Sequence, residues 1–174
     1  MITYPLSWRA MAAADLPAVM AVAAVVHPGY PESEAVFAER LALHPAGCLV
    51  LESGEGVGGY VLSHPWQLGQ ALTLDSLLGA LPKQADAYYI HDLALLPGAR
   101  GGGAASTCVD QLSSHARASG LARMALVAVG DSAGFWRRHG FHEAHDEALA
   151  RKLASYDDAA RYMVRDLKDD GRNA

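Results

Sequence analysis

Apolar positions change spacing several times along this chain, and the changes mark its elements. Leu16, Val19, Met20, Ala23 and Val26 recur at three- and four-residue intervals, as one face of a helix does. Asp15 is placed to cap that helix, with Pro17 in its first turn. The stretch His27-Pro28-Gly29-Tyr30-Pro31 ends it. Ser33 is placed to cap a second helix carrying Val36, Phe37, Leu41 and Leu43, which Pro45 stops. Residues 2–10 read as a first strand. Residues 47–53 and 57–63 read as two strands joined by a turn at 52–56, a hairpin. A third follows at 86–96, strongly apolar from Tyr88, and Pro97 and Gly98 stop it. Between them, residues 64–85 are a long connection whose Leu-rich part, 68–81, is a short helix or irregular cover. Beyond Gly103 an Ala-rich amphipathic segment runs to Ser119. Then come a strand at 121–130, a short helix at 131–140 stopped by Gly140, a strand opening at Phe141, and a final edge-pairing strand at 162–167.

With 174 residues, half of them apolar, the chain supports one domain with a sizeable core and shows no internal repeat. The net charge of −5 is scattered, with no basic stripe for nucleic acid and no polybasic membrane patch. Cys48 and Cys108 lie in apolar surroundings and read as small core residues, neither disulfide nor metal ligands. The N-terminus lacks the charged-then-apolar pattern of a signal peptide, and no apolar run reaches membrane-spanning length. A soluble cytoplasmic protein is expected.

The chemistry-bearing stretch is residues 88–120, in which a strand, a glycine turn and a helix follow one another. That order presents free backbone N–H groups to an anion. Glycine lets the backbone approach a phosphate closely, and Arg100 adds a matched positive donor. A Walker loop is excluded because no lysine sits here. A dinucleotide fingerprint is incomplete, since Gly101 and Gly103 are followed by Ser106 where a third glycine belongs.

The run Arg100-Gly101-Gly102-Gly103-Ala104-Ala105 resembles the Q/R-x-x-G-x-G/A motif of the GCN5-related N-acetyltransferases (GNAT), which bind acetyl-coenzyme A. Leu93-Ala94-Leu95-Leu96-Pro97 before it is similar to the family's usual strand ending. Independently, VGDSAGFWRRHGF resembles the family's second signature, N-x-x-A-x-x-F-Y/W-x-x-x-G-F, at the usual distance. The likeness spans the domain, although only residues 88–141 carry specific motifs. It implies an α/β fold over residues 1–167, a single domain whose central mixed, mostly antiparallel twisted sheet is flanked by helices, with 168–174 a frayed tail. It also implies an N-acetyltransferase that moves the acetyl group of acetyl-coenzyme A to a primary amine by direct attack in a ternary complex. No metal is needed. The acceptor is a small-molecule or peptide amine, and the protein a monomer or homodimer.

The resemblance also assigns residues. Arg100 and the N–H groups of Gly101, Gly102, Gly103, Ala104 and Ala105 would take the pyrophosphate. The backbone of Leu93, Ala94 and Leu95 would pair with pantetheine like another strand. Asp131 and Trp136, on the second signature, would border the cofactor. Substrate contacts fall between the first two helices, which points to Tyr30 and Glu34. They also fall where the chain leaves the hairpin, which points to His64 and Trp66; ordinary loop and packing roles compete for all four. For the base, the strand offers His91 and Asp92, a charged pair unexpected in a buried strand. Many family members carry an acid near the His91 position, and an imidazole titrating near neutrality can take a proton directly or through water. Side-chain alternation implies that at most one of the two faces a given side of the sheet. Asp92 would orient His91 or face a helix. Trp136 stands where the family's thiolate-protonating tyrosine usually is, and an indole cannot act as an acid. Tyr156 and Tyr162 are the candidate replacements. This departure keeps a nonenzymatic coenzyme A binding domain in view, beside an O-acyl or longer-chain acyltransferase.

Overall fold

The computed structural model describes residues 5–154 and 156–167. Residues 2–4 of the expected first strand and the expected tail at 168–174 lie outside the described residues.

Seven strands form one mixed sheet: β1 (Ser7–Ala10), β2 (Cys48–Ser53), β3 (Gly56–Trp66), β4 (Ala87–Leu95), β5 (Arg123–Ala128), β6 (His142–Glu143) and β7 (Arg161–Asp166). Their order across the sheet is β1-β2-β3-β4-β5-β7-β6. Only β4 and β5 run parallel; every other neighbouring pair is antiparallel. Helix α3 (Ala104–Ala118) supplies the β4–β5 crossover that a parallel pair requires. It buries Cys108, Val109, Leu112 and Ala116 against Tyr88 and Ile90 of β4 and Met124 and Leu126 of β5. Helix α4 (Ala133–Arg138) packs Trp136 on the same face. The opposite face is covered by α1 (Leu16–Val26) and α2 (Glu34–Leu43), whose Val19, Val22, Val36 and Phe37 meet Val50, Tyr60 and Leu62. Helix α5 (Glu147–Leu153) adds Leu149 against Tyr89, Ala125 and Tyr162 on that face.

Several sequence expectations change in detail. Asp15 precedes α1, but its carboxylate turns back. It accepts from the Ala12 N–H at 2.8 Å and pairs with Arg9 at 2.8 Å, because a single 3-10 turn at Ala13–Asp15 leads into the helix. Ser33 sits at the N-cap of α2 without a side-chain capping bond. Strand β3 does not release the chain at Ser63. His64, Pro65 and Trp66 pair with Tyr89, Tyr88 and Ala87, with proline tolerated near the strand's end. The connection 67–86 carries turns but no helix, so its expected helical alternative is not formed. Strand β7 is not the edge: it is bracketed by β5 and β6. Helix α5 went unread, although Asp146 caps it by accepting from the Ala148 N–H at 2.7 Å. Both cysteines are buried, and burial pushes their thiols up to about 11 (Cys48) and about 12 (Cys108). Among the described residues no helix is long and apolar enough to cross a membrane, and no group of three or more His, Cys, Asp or Glu side chains could hold a metal.

The extended β3 buries His64 completely. One ring nitrogen, Nδ1, sits 2.8 Å from the Pro65 carbonyl, and Nε2 has no partner. Burial therefore holds its pKa down at about 3. Burial, with His115 facing it at 3.0 Å, likewise lowers that of His44. A folded-state pKa below the unfolded value means that the unfolded chain binds the proton first. The stability is fully present above about pH 6.5 and is lost as pH falls through the window below it, for His64 at about 1.4 kcal/mol per pH unit. The urea midpoint is expected to drop clearly between pH 7 and pH 5, and His64→Gln should flatten much of that drop. A parent midpoint that stays constant over this range contradicts the assignment.

Candidate active site

The sheet opens at its centre. Strands β4 and β5 pair only over Tyr88–Met124, Tyr89–Ala125 and Ile90–Leu126. Beyond Ile90, β4 runs on to Leu95 with its β5-facing edge lacking a strand partner among the described residues. A trough fills the splay in two lobes of about 450 and about 570 Å³, which share Val26, His27, Leu93, Arg100, Ser132 and Trp136 at their junction.

The larger lobe is built by the glycine turn. Gly101 and Gly103 have φ of +88° and +85°, a left-handed backbone that side-chain-bearing residues rarely adopt, and Gly103 is the N-cap of α3. A Cβ on Gly101, Gly102 or Gly103 would meet no atom within 4 Å. Leu93, Ala94, Leu95, Ala104 and Ala105 line this lobe, whereas Gly102 does not. Its charged lining is Arg100 and Arg138, beside His139, whose pKa burial lowers, with no carboxylate among the described residues. Arg138 was not anticipated, although it lies inside the second signature. The Arg100 guanidinium is anchored, its Nε donating to the Leu95 carbonyl at 3.0 Å. That bond occupies one of the backbone acceptors expected to pair with pantetheine. An N-terminal helix dipole, a cationic lining and a side-chain-free turn together suit a polyphosphate.

The smaller lobe has the opposite character. Glu32, Asp92 and Asp131 line it with His27, His91, Tyr30 and Tyr156. A β-bulge explains how two adjacent charged residues both reach it. Leu62 pairs with Asp92 and Ser63 with Ile90, so His91 is the extra residue of β4. Alternation breaks there, which places His91 and Asp92 on the same side, contrary to the expectation that only one could face it. They have different partners. His91 Nε2 lies 2.9 Å from Glu32 Oε1, with 2 % and 6 % of the two side chains exposed. Glu32 Oε2 accepts from the Asp75 N–H at 3.1 Å, which fixes the carboxylate. His91 Nδ1 is buried without a partner. Asp92 accepts from the Tyr60 hydroxyl and lies 2.9 Å from His27 Nε2. Burial opposes a charged His27, but Asp92, with Glu32 behind it, outweighs that and raises its pKa. Burial, then Asp92, raises that of Tyr60.

The other expected residues divide. Tyr30 lines the lobe and donates to Asp157, which raises its pKa. Tyr156 lines it too, but its hydroxyl donates to the Leu72 carbonyl at 2.8 Å and burial raises its pKa strongly, so its proton is committed elsewhere. The Tyr162 hydroxyl accepts from the Gly69 N–H at 2.9 Å, away from the trough. Glu34 is exposed on the first turn of α2 and does not line either lobe; Glu32, two residues earlier, does. His64 is sealed in the core, and the Trp66 indole donates to the Gln70 carbonyl at 2.9 Å; neither reaches the trough. Trp136 is buried at the junction against Phe135 and Phe141. His27, Glu32 and Tyr60 were missed. The first two lie in or beside the helix-breaking segment 27–31, which was read as a boundary rather than as a wall of the site.

The protein is thus an α/β domain whose mixed sheet splays where a glycine turn feeds a helix. A family profile described as "Acetyltransferase (GNAT) family" matches residues 12–141, and the chain belongs to that family. Sequence comparison with curated proteins returns no match. Among solved structures, Ard1 from Thermoplasma volcanium is similar at 16 % identity and a TM-score of 0.69, over 92 % of this chain and 97 % of that one. GphF, a GNAT-like decarboxylase solved with isobutyryl-CoA, is similar at 19 % identity and a TM-score of 0.78, over 92 % and 99 %. Naa50 from Arabidopsis thaliana, solved with the bisubstrate analogue CoA-Ac-MVNAL, is similar at 13 % identity and 0.66, over 91 % and 96 %. At such identities the likeness is one of fold.

Proposed function

We propose that the protein is an acetyl-coenzyme A-dependent N-acetyltransferase, acting on a primary amine by direct attack in a ternary complex. The observation that carries this reading is the trough's charge division. Its cationic, glycine-walled lobe suits a pyrophosphate, and its acid-lined lobe suits an amine that arrives protonated. The solved relatives named with CoA ligands support the first half.

When bound, the cosubstrate supplies an activated thioester. The N–H groups of Gly101, Gly103, Ala104 and Ala105 and the Arg100 guanidinium would hold its pyrophosphate, and the β5-facing edge of β4 at Leu93 and Ala94 would align the pantetheine, the Leu95 carbonyl being held by Arg100. The attacking amine must be neutral, so the ammonium that arrives first releases one proton to solvent. Glu32 accepts the Nε2 proton of His91, which selects the tautomer with a lone pair on Nδ1, the buried nitrogen without a partner. His91 Nδ1 takes the amine proton directly or through one water, and Glu32 stabilises the imidazolium that results. Trp136 and Tyr156 wall off solvent. In this arrangement Glu32, rather than Asp92, orients the base.

Thermal melting tests the cosubstrate half. Coenzyme A should raise the melting temperature, with about 2.7 kcal/mol of stabilisation at a hundredfold excess over its dissociation constant, while NAD and ATP do little. Equal protection by NAD counts against the reading. An acyl-length series then separates acetyl transfer from longer-chain transfer on the same scaffold.

A further inference from the structure

Resting on that reading of the trough, we propose that His27 is the general acid that returns a proton to the departing thiolate. The reaction has two proton movements, and His91 handles one. The second needs a donor where the two lobes meet, because that is where a thioester held in one lobe would confront an amine held in the other. Six residues form that junction. Val26 and Leu93 carry no proton to give. Trp136 offers only an indole. The Ser132 hydroxyl donates to the Val129 carbonyl at 2.7 Å. Arg100 is permanently charged and does not release its proton. His27 remains.

Its surroundings favour the charged ring. It caps the C-terminus of α1, the end of a helix that favours cations. Asp92 of β4 faces Nε2 at 2.9 Å, and Tyr60 of β3 holds that carboxylate from behind. Glu32 acts from the segment before α2, Arg100 opposes from the glycine turn, and the Tyr30 ring lies 6.3 Å away. The carboxylates outweigh burial and Arg100, so the ring keeps its proton to a higher pH than an ordinary histidine. With Nε2 turned to Asp92, Nδ1 is the nitrogen left to donate, and 22 % of the side chain is exposed. The step balances. The bond from amine nitrogen to carbonyl carbon forms as the carbon–sulfur bond breaks, and its electron pair goes to sulfur. The amine enters this step neutral, its ammonium proton already released to solvent; His27 Nδ1–H gives its proton to that sulfur and becomes neutral, while His91 Nδ1 receives the proton that the nitrogen loses as the amide forms. Amide and thiol are the products, and solvent exchange resets both rings.

The test titrates the thiol of coenzyme A, bound to the parent and to His27→Gln, by thiolate absorbance, alongside calorimetric affinity and turnover against pH. In the parent the bound thiol should ionise at lower pH than free coenzyme A, because a cationic ring favours the thiolate. In H27Q that shift should disappear with affinity within a few-fold of parent. Turnover should fall by about 10²-fold, and the parent's loss of rate at high pH should vanish. Asp92→Asn should move that high-pH loss to lower pH, as should the His27 ring titration followed by NMR; these two readouts stand even if H27Q fails to fold. An unshifted bound thiol in the parent, or an H27Q protein that keeps both the shift and the high-pH loss, overturns the proposal while leaving the acyltransferase reading intact. A parent that binds no coenzyme A overturns both.

Discussion

Replacing His91 with alanine is expected to lower turnover by about 10²–10⁴-fold while leaving coenzyme A affinity nearly unchanged. The expectation rests on a nitrogen. Glu32 occupies Nε2, and Nδ1, on a residue that lines the smaller lobe, is buried with no protein partner, an arrangement that serves proton uptake and adds little to stability. A rise of rate with pH that belongs to an imidazole should vanish in the variant, leaving the acceptor amine's own titration. Glu32→Gln should lower turnover less than the loss of His91, since an amide stabilises an imidazolium less than a carboxylate does. If His91 were only a core histidine, the variant would lose melting temperature and a small, pH-independent fraction of its rate. Parent-like turnover in a folded H91A protein ends its role as the base.

The second large effect concerns Gly103. Its φ of +85° makes any L-residue strained there, at about 1–2 kcal/mol, and a Cβ would project into open space rather than into protein. Gly103→Leu should therefore remain folded with a melting temperature a few degrees lower. Its coenzyme A affinity should drop by about 10²-fold or more, because the side chain occupies the close approach a pyrophosphate needs. Gly103→Asn, whose side chain tolerates the left-handed backbone, should retain more of the parent's stability yet still bind weakly. Calorimetry on both variants checks this; parent-like affinity in folded G103L would remove the glycine turn from the binding site.

The parts of the site that follow from local backbone chemistry were legible in the sequence. Pro97 and Gly98 ending a strand, then Gly101 to Gly103 opening a helix, dictate an exposed helix N-terminus whatever the rest of the chain does. His91 stood out because a buried strand has little use for it. The partners of these residues were not legible. Glu32 was passed over for Glu34 because helical periodicity locates the start of α2 but says nothing about which side chain of the preceding loop folds inward. The bulge at His91 depends on how β3 and β4 settle their register, a long-range fit between Leu62–Ser63 and Ile90–Asp92 that neither strand encodes alone. Without it, alternation separates His91 from Asp92. With it, both enter one lobe and recruit Glu32 and His27 from the far side. His64 shows the same limit in reverse. A histidine near the end of a hairpin reads as accessible, but three further residues of pairing seal it in the core.

The most direct test of the account is amine-dependent acetyl transfer. Purified protein is incubated with acetyl-coenzyme A, with and without a panel of primary amines ranging from small diamines to peptide N-termini. Free thiol and N-acetylated product are then measured together. The account predicts thiol and acetylated amine in equal amounts, formed only when a suitable amine is present, with H91A strongly impaired. Coenzyme A binding without transfer to any amine, or thiol release that ignores the amine, would contradict it.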